Sequence, residues 1–135
     1  MKFKYRGFTL IELLVVIALL GILSAIGITS YQGYTWAAKK KDAELSLNSI
    51  LLANEEYTSD NGEYKYVMAI TDTSYQEIQN ELLDGKETLP SDDWKFGIQG
   101  NIPNQTLNIV AKHKTKKCKL TLTEKMKLIP NGSDC

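Results

Sequence analysis

From Leu13 to Ala38 the chain has no charged residue, and from Phe8 to Thr58 it has no proline. The first absence excludes a solvated helix over that stretch. An uncharged apolar run needs about 20 residues to cross a bilayer as a helix, and this one is long enough. The second absence removes the usual helix breaker. Phe8 to about Thr58 therefore reads as one continuous helix, about 75 Å long at 1.5 Å per residue. That exceeds a bilayer, so its second half must leave the membrane. The chain also has little that could do chemistry. It holds one histidine, His113, in a lysine-rich turn, and no Gly-x-Ser-x-Gly or P-loop pattern. No catalytic residue is assigned, and His113 reads as an exposed turn residue. Two cysteines and one histidine are too few for a metal site, so no metal or other cofactor is expected.

What the chain does have is concentrated at its start. A basic peptide with Lys2, Lys4 and Arg6 ends at Gly7, and the apolar run opens at Phe8. Glu12 is the one carboxylate inside that run. At the centre of a membrane helix it would cost about 2.5–3.5 kcal/mol, and less near an end. Ionisable groups at membrane depth usually have a partner. If the chain were cut after Gly7, Phe8 would carry a free α-ammonium. Glu12 would then lie four residues along on the same helical face. It could pair with its own amine or with that of a neighbouring copy.

Gly7, Phe8, Thr9, Leu10, Ile11 and Glu12 resemble the N-terminus of a type IV pilin, a prepilin with a class III signal sequence. The resemblance is strong over about residues 6–34 and loose to about Gly62. It implies a leader, residues 1–7, removed by a prepilin peptidase between Gly7 and Phe8, with methylation of the new Phe8 amine. It also implies an assembly role for Glu12. One departure is Thr29, where many family members have a proline associated with a helix kink and local unwinding in filaments. Gly21 and Gly27 still weaken the helix here, each by up to about 1 kcal/mol. Two plainer readings compete. In a secretory signal peptide, Ala25-Ile26-Gly27 would offer the cleavage site, but Glu12 would stand inside its apolar core. The other is a membrane anchor with nothing specific about Gly7.

The remaining boundaries follow. Residues 8–30 are expected to form the transmembrane or filament-core helix, and 31–135 the soluble domain. Within that domain 31–58 continue the helix, 59–93 form a connector, and 94–135 form a sheet and closing loop. The first helical half is apolar all round, with Gly21, Ala25, Thr29 and Gly33 as a small-residue stripe. In the second half Ala43, Leu47, Ile50, Leu51, Asn54 and Tyr57 share one face. Lys39, Lys40 and Lys41 read as a collar at the membrane exit. Asp60-Asn61-Gly62 ends the helix. Ser74-x-x-Glu77 reads as a capping box opening a short helix from about Tyr75 to Asp84, stopped by Gly85.

The last third alternates. Trp94, Phe96 and Ile98 are followed by Leu107, Ile109 and Ala111, then Leu120 and Leu122, then Met126 and Leu128. Turn formers at Gly100–Asn104, His113–Lys117 and Pro130-Asn131-Gly132 separate them. This predicts three or four antiparallel strands with one polar face. The fold class is thus α+β: a long helix packed under a small antiparallel sheet. Its C-terminal loop is closed by Cys118 and Cys135, because an exported domain sits where disulfides persist. Closing a loop of about 18 residues contributes about 3 kcal/mol in the chain-entropy model.

The net charge is zero, but it is unevenly distributed. Glu55 to Asp93 holds eleven acids against Lys65 and Lys86, and Trp94 to Cys135 holds eight lysines against Glu124 and Asp134. These are two solvated faces of opposite sign or, more sharply, complementary surfaces of copies in an assembly. Lys112, Lys114, Lys116, Lys117 and Lys119 crowd one turn, and DNA contact there is the weakest of the partner readings. Asn104-Gln105-Thr106 and Asn131-Gly132-Ser133 match a glycosylation triplet that is common by chance.

The resemblance implies assembly in place of catalysis. Partners would be identical or related pilin subunits, the prepilin peptidase, an inner-membrane assembly platform and the membrane itself. The protein would sit in the bacterial inner membrane with its C-terminal domain outside the cytoplasm, then in an extracellular pilus. Such filaments serve adhesion, twitching motility, DNA uptake or surface sensing. A pseudopilin of a type II secretion system is the alternative, although those typically lack a C-terminal disulfide loop. A membrane-tethered binding domain stands further off.

Overall fold

Helix α1, Leu10–Asn61, is uninterrupted. It stops where Gly62 takes a left-handed φ of +81° and its N–H bonds to the carbonyl of Thr58 at 2.8 Å. This is the termination expected from Asp60-Asn61-Gly62. The computed structural model describes residues 7–86, 89–101 and 106–135. Leader residues Lys2, Lys4 and Arg6 lie outside these, as do Asn104 and Gln105 of the first glycosylation triplet. The chain forms two units, the second being Lys39–Cys135.

Between Leu10 and Ile28, α1 exposes its large apolar side chains on every side, from Val16 at 47% to Leu10 at 82%. Ser24 donates its hydroxyl to the carbonyl of Leu20 at 2.7 Å, and Ser30 to that of Ile26 at 3.3 Å. Those hydroxyls are satisfied within the helix, as an apolar phase requires.

In the second unit, Ala43, Leu47, Ile50, Leu51 and Asn54 are fully buried, and Tyr57 at the edge of the stripe is half-buried. The sheet supplies the other half of the core. Strands β1 (Trp94–Asn101), β2 (Thr106–His113), β3 (Lys119–Thr123) and β4 (Leu128–Asn131) form an antiparallel meander in chain order. The register sets Phe96 opposite Ala111 and Ile98 opposite Ile109; Ala111 in turn meets Leu120 and Ile109 meets Leu122. These side chains share one buried face, as period-2 alternation demands.

The expected strand bounds need three corrections. Gly100 belongs to β1, and Pro130 and Asn131 belong to β4 and not to a turn. Pro130 is accommodated because β4 is an edge strand. Met126 is a turn residue, 61% exposed with φ +57°, so it does not join the apolar row with Leu128.

The connector runs along the outer edge of β1 and crosses the sheet's outer face there. Val67 bridges Ile98 on the outer edge of β1. Ile70 lies over Gly97, where an added Cβ would come within 2.7 Å of it, so only glycine leaves room for the crossing. Helix α2, Ser74–Glu81, follows. Its expected capping box does not form. Thr73 is the N-cap, with no side-chain cap bond, and the Ser74 hydroxyl bonds instead to the carbonyls of Thr71 and Phe96. Glu77 faces Lys65 at 3.9 Å, and Lys65 also pairs closely with Glu81. The Ser74 oxygen accepts the Thr71 N–H at 3.2 Å, so the donor it takes lies before the helix and not in its first turn.

The connector is fastened to α1 by Asn54. Its Nδ2 donates to the Lys65 carbonyl at 2.8 Å, and its Oδ1 accepts the Lys65 N–H at 2.9 Å. Asn54→Leu should leave both backbone groups unpaired and cost about 3 kcal/mol. Denaturant midpoints of the full chain in detergent measure this, and Asn54→Asp, which keeps the acceptor, should lose less.

Candidate functional site

Gly7 and Phe8 precede the helix and are exposed, Phe8 at 86%. The peptide bond joining them is therefore outside regular structure. Thr9 then caps α1. Its Oγ1 accepts the N–H of Glu12 at 3.3 Å, while Oε2 of Glu12 accepts both the Thr9 N–H at 2.8 Å and the Thr9 hydroxyl at 2.7 Å. This is a reciprocal capping box, Thr9-x-x-Glu12, with Glu12 at the third helical position. A carboxylate there also faces the positive end of the helix dipole. The sequence reading placed a capping box at Ser74 and overlooked this one, although the Thr-x-x-Glu signal was present. Glu12 is thus a helix-capping group as well as a charge in an apolar run.

Thr9 and Glu12 both lie beyond the Gly7–Phe8 bond, so a cut there leaves the box intact. The carboxylate already has donors before any free amine exists. Ile11, Val15 and Val16 flank it as exposed apolar residues. The apolar part of α1 is long and apolar enough to cross a membrane.

At the other end of the chain, Cys118 and Cys135 form a disulfide with Cα atoms 4.9 Å apart. Gly132 makes the turn that brings the tail back. Its φ is +123°, and a Cβ would meet the Lys117 carbonyl at 1.9 Å. The Lys117 N–H donates to Oδ2 of Asp134 at 2.8 Å. The collar lysines are bonded within their own unit: Lys39 to Asp93 at 2.8 Å, Lys40 to the main-chain oxygen of Cys135 at 2.7 Å, and Lys41 to Glu44 at 3.0 Å.

His113 is not an exposed turn residue. It ends β2, is 6% exposed, and sits edge-on to Trp94 with ring centroids 5.0 Å apart. Its Nδ1 accepts the backbone N–H of Thr115 at 3.2 Å and of Lys116 at 2.9 Å. Burial holds the imidazole below its usual pKa, Lys116 and Lys39 adding to this and Asp93 and Asp134 opposing it. The lysine turn is thus built on a neutral histidine. Its lysines do not form one patch, because Lys114 turns to Asp72 at 3.5 Å, which Lys95 also holds at 2.9 Å. Among the described residues no group of His, Cys, Asp and Glu is arranged to hold a metal ion.

Residues 2–28 match the family model described as the prokaryotic N-terminal methylation motif. The chain is 44% identical over 59 residues to the fimbrial protein of Neisseria meningitidis serogroup B, covering 44% of this chain and 35% of that protein. It is 37% identical over 61 residues to the type IV major pilin protein PilA of Myxococcus xanthus, covering 45% and 28%. To the fimbrial protein of Pseudomonas aeruginosa it is 37% identical over 82 residues, covering 59% and 53%. No solved structure gives a significant match. The N-terminal part of the chain is thus similar to that of type IV pilins and carries the methylation motif. Its matches span 28% to 53% of these relatives' length.

Two outcomes follow. Thr9→Val should fray the first turn of α1 by about 1 kcal/mol, and Thr9→Ser should not. Hydrogen exchange at the Leu13 amide, which bonds to the Thr9 carbonyl at 3.3 Å, reads this in detergent. For His113, a pKa lowered by folding means its stability is fully present above the unfolded value of about 6.5 and is lost as pH falls through it. His113→Asn, which keeps an acceptor near Nδ1 and does not titrate, should flatten the fall in denaturant midpoint between pH 7.5 and 5.

Proposed function

We propose that the chain is a structural subunit of a type IV pilus and not an enzyme. It is stored across the inner membrane by α1, cut between Gly7 and Phe8 by a prepilin peptidase, methylated on the Phe8 amine, and drawn by an assembly platform into an extracellular filament. The observation that carries this is the exposed Gly7–Phe8 junction. It stands directly before a capped helix whose first half is apolar on every side. Such a surface needs lipid or other helices around it. The boundaries read from sequence, 8–30 for the membrane or core segment and 31–135 for the soluble part, belong to this proposal. The Cys118–Cys135 bridge weighs toward a pilus subunit over a secretion-system pseudopilin.

Glu12 supplies the assembly chemistry. As a processed helix enters an apolar bundle, the Phe8 ammonium loses water, and an unpaired charge there is expensive. The Glu12 carboxylate of a neighbouring copy offsets it, and the attraction grows as the local dielectric falls. Thr9 keeps that carboxylate at the helix entry. The pair fixes register, since an axial slip would separate two desolvated charges.

The mature protein should start at Phe8 with one added methyl group, as read by intact mass. A start at Ile28, or retention of Met1, would replace this reading with a signal peptide or a plain anchor. Glu12→Leu should still be inserted and cleaved but should be strongly depleted from sheared filaments, with Glu12→Asp intermediate. The ratio of filament-borne to membrane-borne protein decides it. Normal incorporation of cleaved Glu12→Leu chain would reject the charge pair, and loss of cleavage would move the role of Glu12 to peptidase recognition.

A further inference from the structure

The ion pairs inside the second unit do not use all of its charge. Lys65, Lys86, Lys95 and Lys114 are matched to acids of the connector and α2. Among the described residues, Lys112, Lys119, Lys125 and Lys127 make no ion pair, nor do Glu55, Glu56, Asp60 and Glu63. The unmatched lysines have a definite arrangement. Lys95 pairs across the ladder with Lys112, and Lys112 with Lys119, so three ammonium groups stand in one row on the outer face of β1, β2 and β3. Like charges directly opposite destabilise a sheet. Asp72 answers Lys95 at one end of the row, and no carboxylate among the described residues pairs with Lys112 or Lys119. Lys125 and Lys127 add to the same charge at the β3–β4 turn.

Of the acids without an ion pair among the described residues, Asp42, Asp92 and Glu124 stand apart, while Glu55, Glu56, Asp60 and Glu63 gather where α1 ends and the connector begins, and all four are exposed. They and the lysines belong to one folded unit of one neutral chain and yet do not meet within it. A second copy can bring them together.

We propose that the lysine row on the outer sheet face of one copy, Lys112 and Lys119 foremost, docks on the acidic end of α1 of the next, at Glu55, Glu56, Asp60 and Glu63. The two patches differ, so the contact can be heterologous and repeat from copy to copy, as a filament requires. Complementary potentials would also speed and orient docking in a salt-dependent way. This inference rests on the pilus reading above.

The test uses the full-length chain in cells that assemble it. Equal amounts of light and heavy isotope-labelled protein are mixed in filaments, joined with a zero-length carbodiimide that links amines to carboxylates, and digested. Light–heavy cross-links between Lys112 or Lys119 and Glu55 or Glu56 are expected. Lys112→Glu with Lys119→Glu, and separately Glu55→Lys with Glu56→Lys, should each lower the filament-borne fraction several-fold with cleavage unchanged. A chain carrying all four reversals should recover most of it. The four-fold variant guards against misfolding, because rescue requires a folded chain. Filaments that form without these cross-links overturn the proposal while leaving the pilus reading in place. So does a four-fold variant no better than its parents, or lysine reversals that abolish DNA binding and leave assembly untouched. Absence of the unmodified chain from filaments overturns the pilus reading, and this contact with it.

Discussion

The second unit depends on one buried amide. Asn54 ends the apolar stripe of α1 and spends both halves of its side chain on the backbone of Lys65. A fully buried polar side chain is tolerable only when satisfied, and here both atoms are. The consequence spreads along the chain. With its backbone fixed against α1, Lys65 reaches Glu81 and Glu77 of α2. Val67 is then in place to pair with Ile98, and Ile70 to cross Gly97. A connector with little regular structure is thereby held to the helix on one side and to the sheet on the other.

The parts of this fold that are periodic were legible in the sequence. The stripe Ala43–Asn54 and the alternation in β1, β2 and β3 depend on local spacing, and each buried the residues that its period assigned. The misses share a cause, which is that another part of the chain decided them. Ser74 carries a local capping signal, but its hydroxyl donates to the Phe96 carbonyl and accepts the Thr71 N–H. His113 was judged by its lysine neighbours. Yet Leu107, Ile109, Ala111 and His113 have the same parity on β2, and extending that alternation by one step would have buried it. Met126 was given to a row that ends at a left-handed turn residue.

The two ends of the molecule use their acids and bases differently. At the N-terminus, Glu12 is occupied by Thr9 before any processing, so its carboxylate is oriented in advance and is not left bare in an apolar stretch. In the second unit, an aspartate bridges two lysines, and Lys95, followed by Lys114, keeps the Asp72 carboxyl below its usual range. Fixed geometry at one end and matched surface charge at the other are different solutions to the same problem, a charge that must not be left alone.

Strand β4 is four residues long, lies at the sheet edge and contains Pro130, so by hydrogen bonding alone it would be the first element to fray. Its far end, however, is covalently tied to the residue just before β3, the strand it pairs with. Peeling from the tail is blocked by a bond that no thermal fluctuation breaks. β4 can leave only as a closed loop, and the Lys40 contact with Cys135 must release as well. The weakest strand is therefore not a loose thread from which the second unit can unravel.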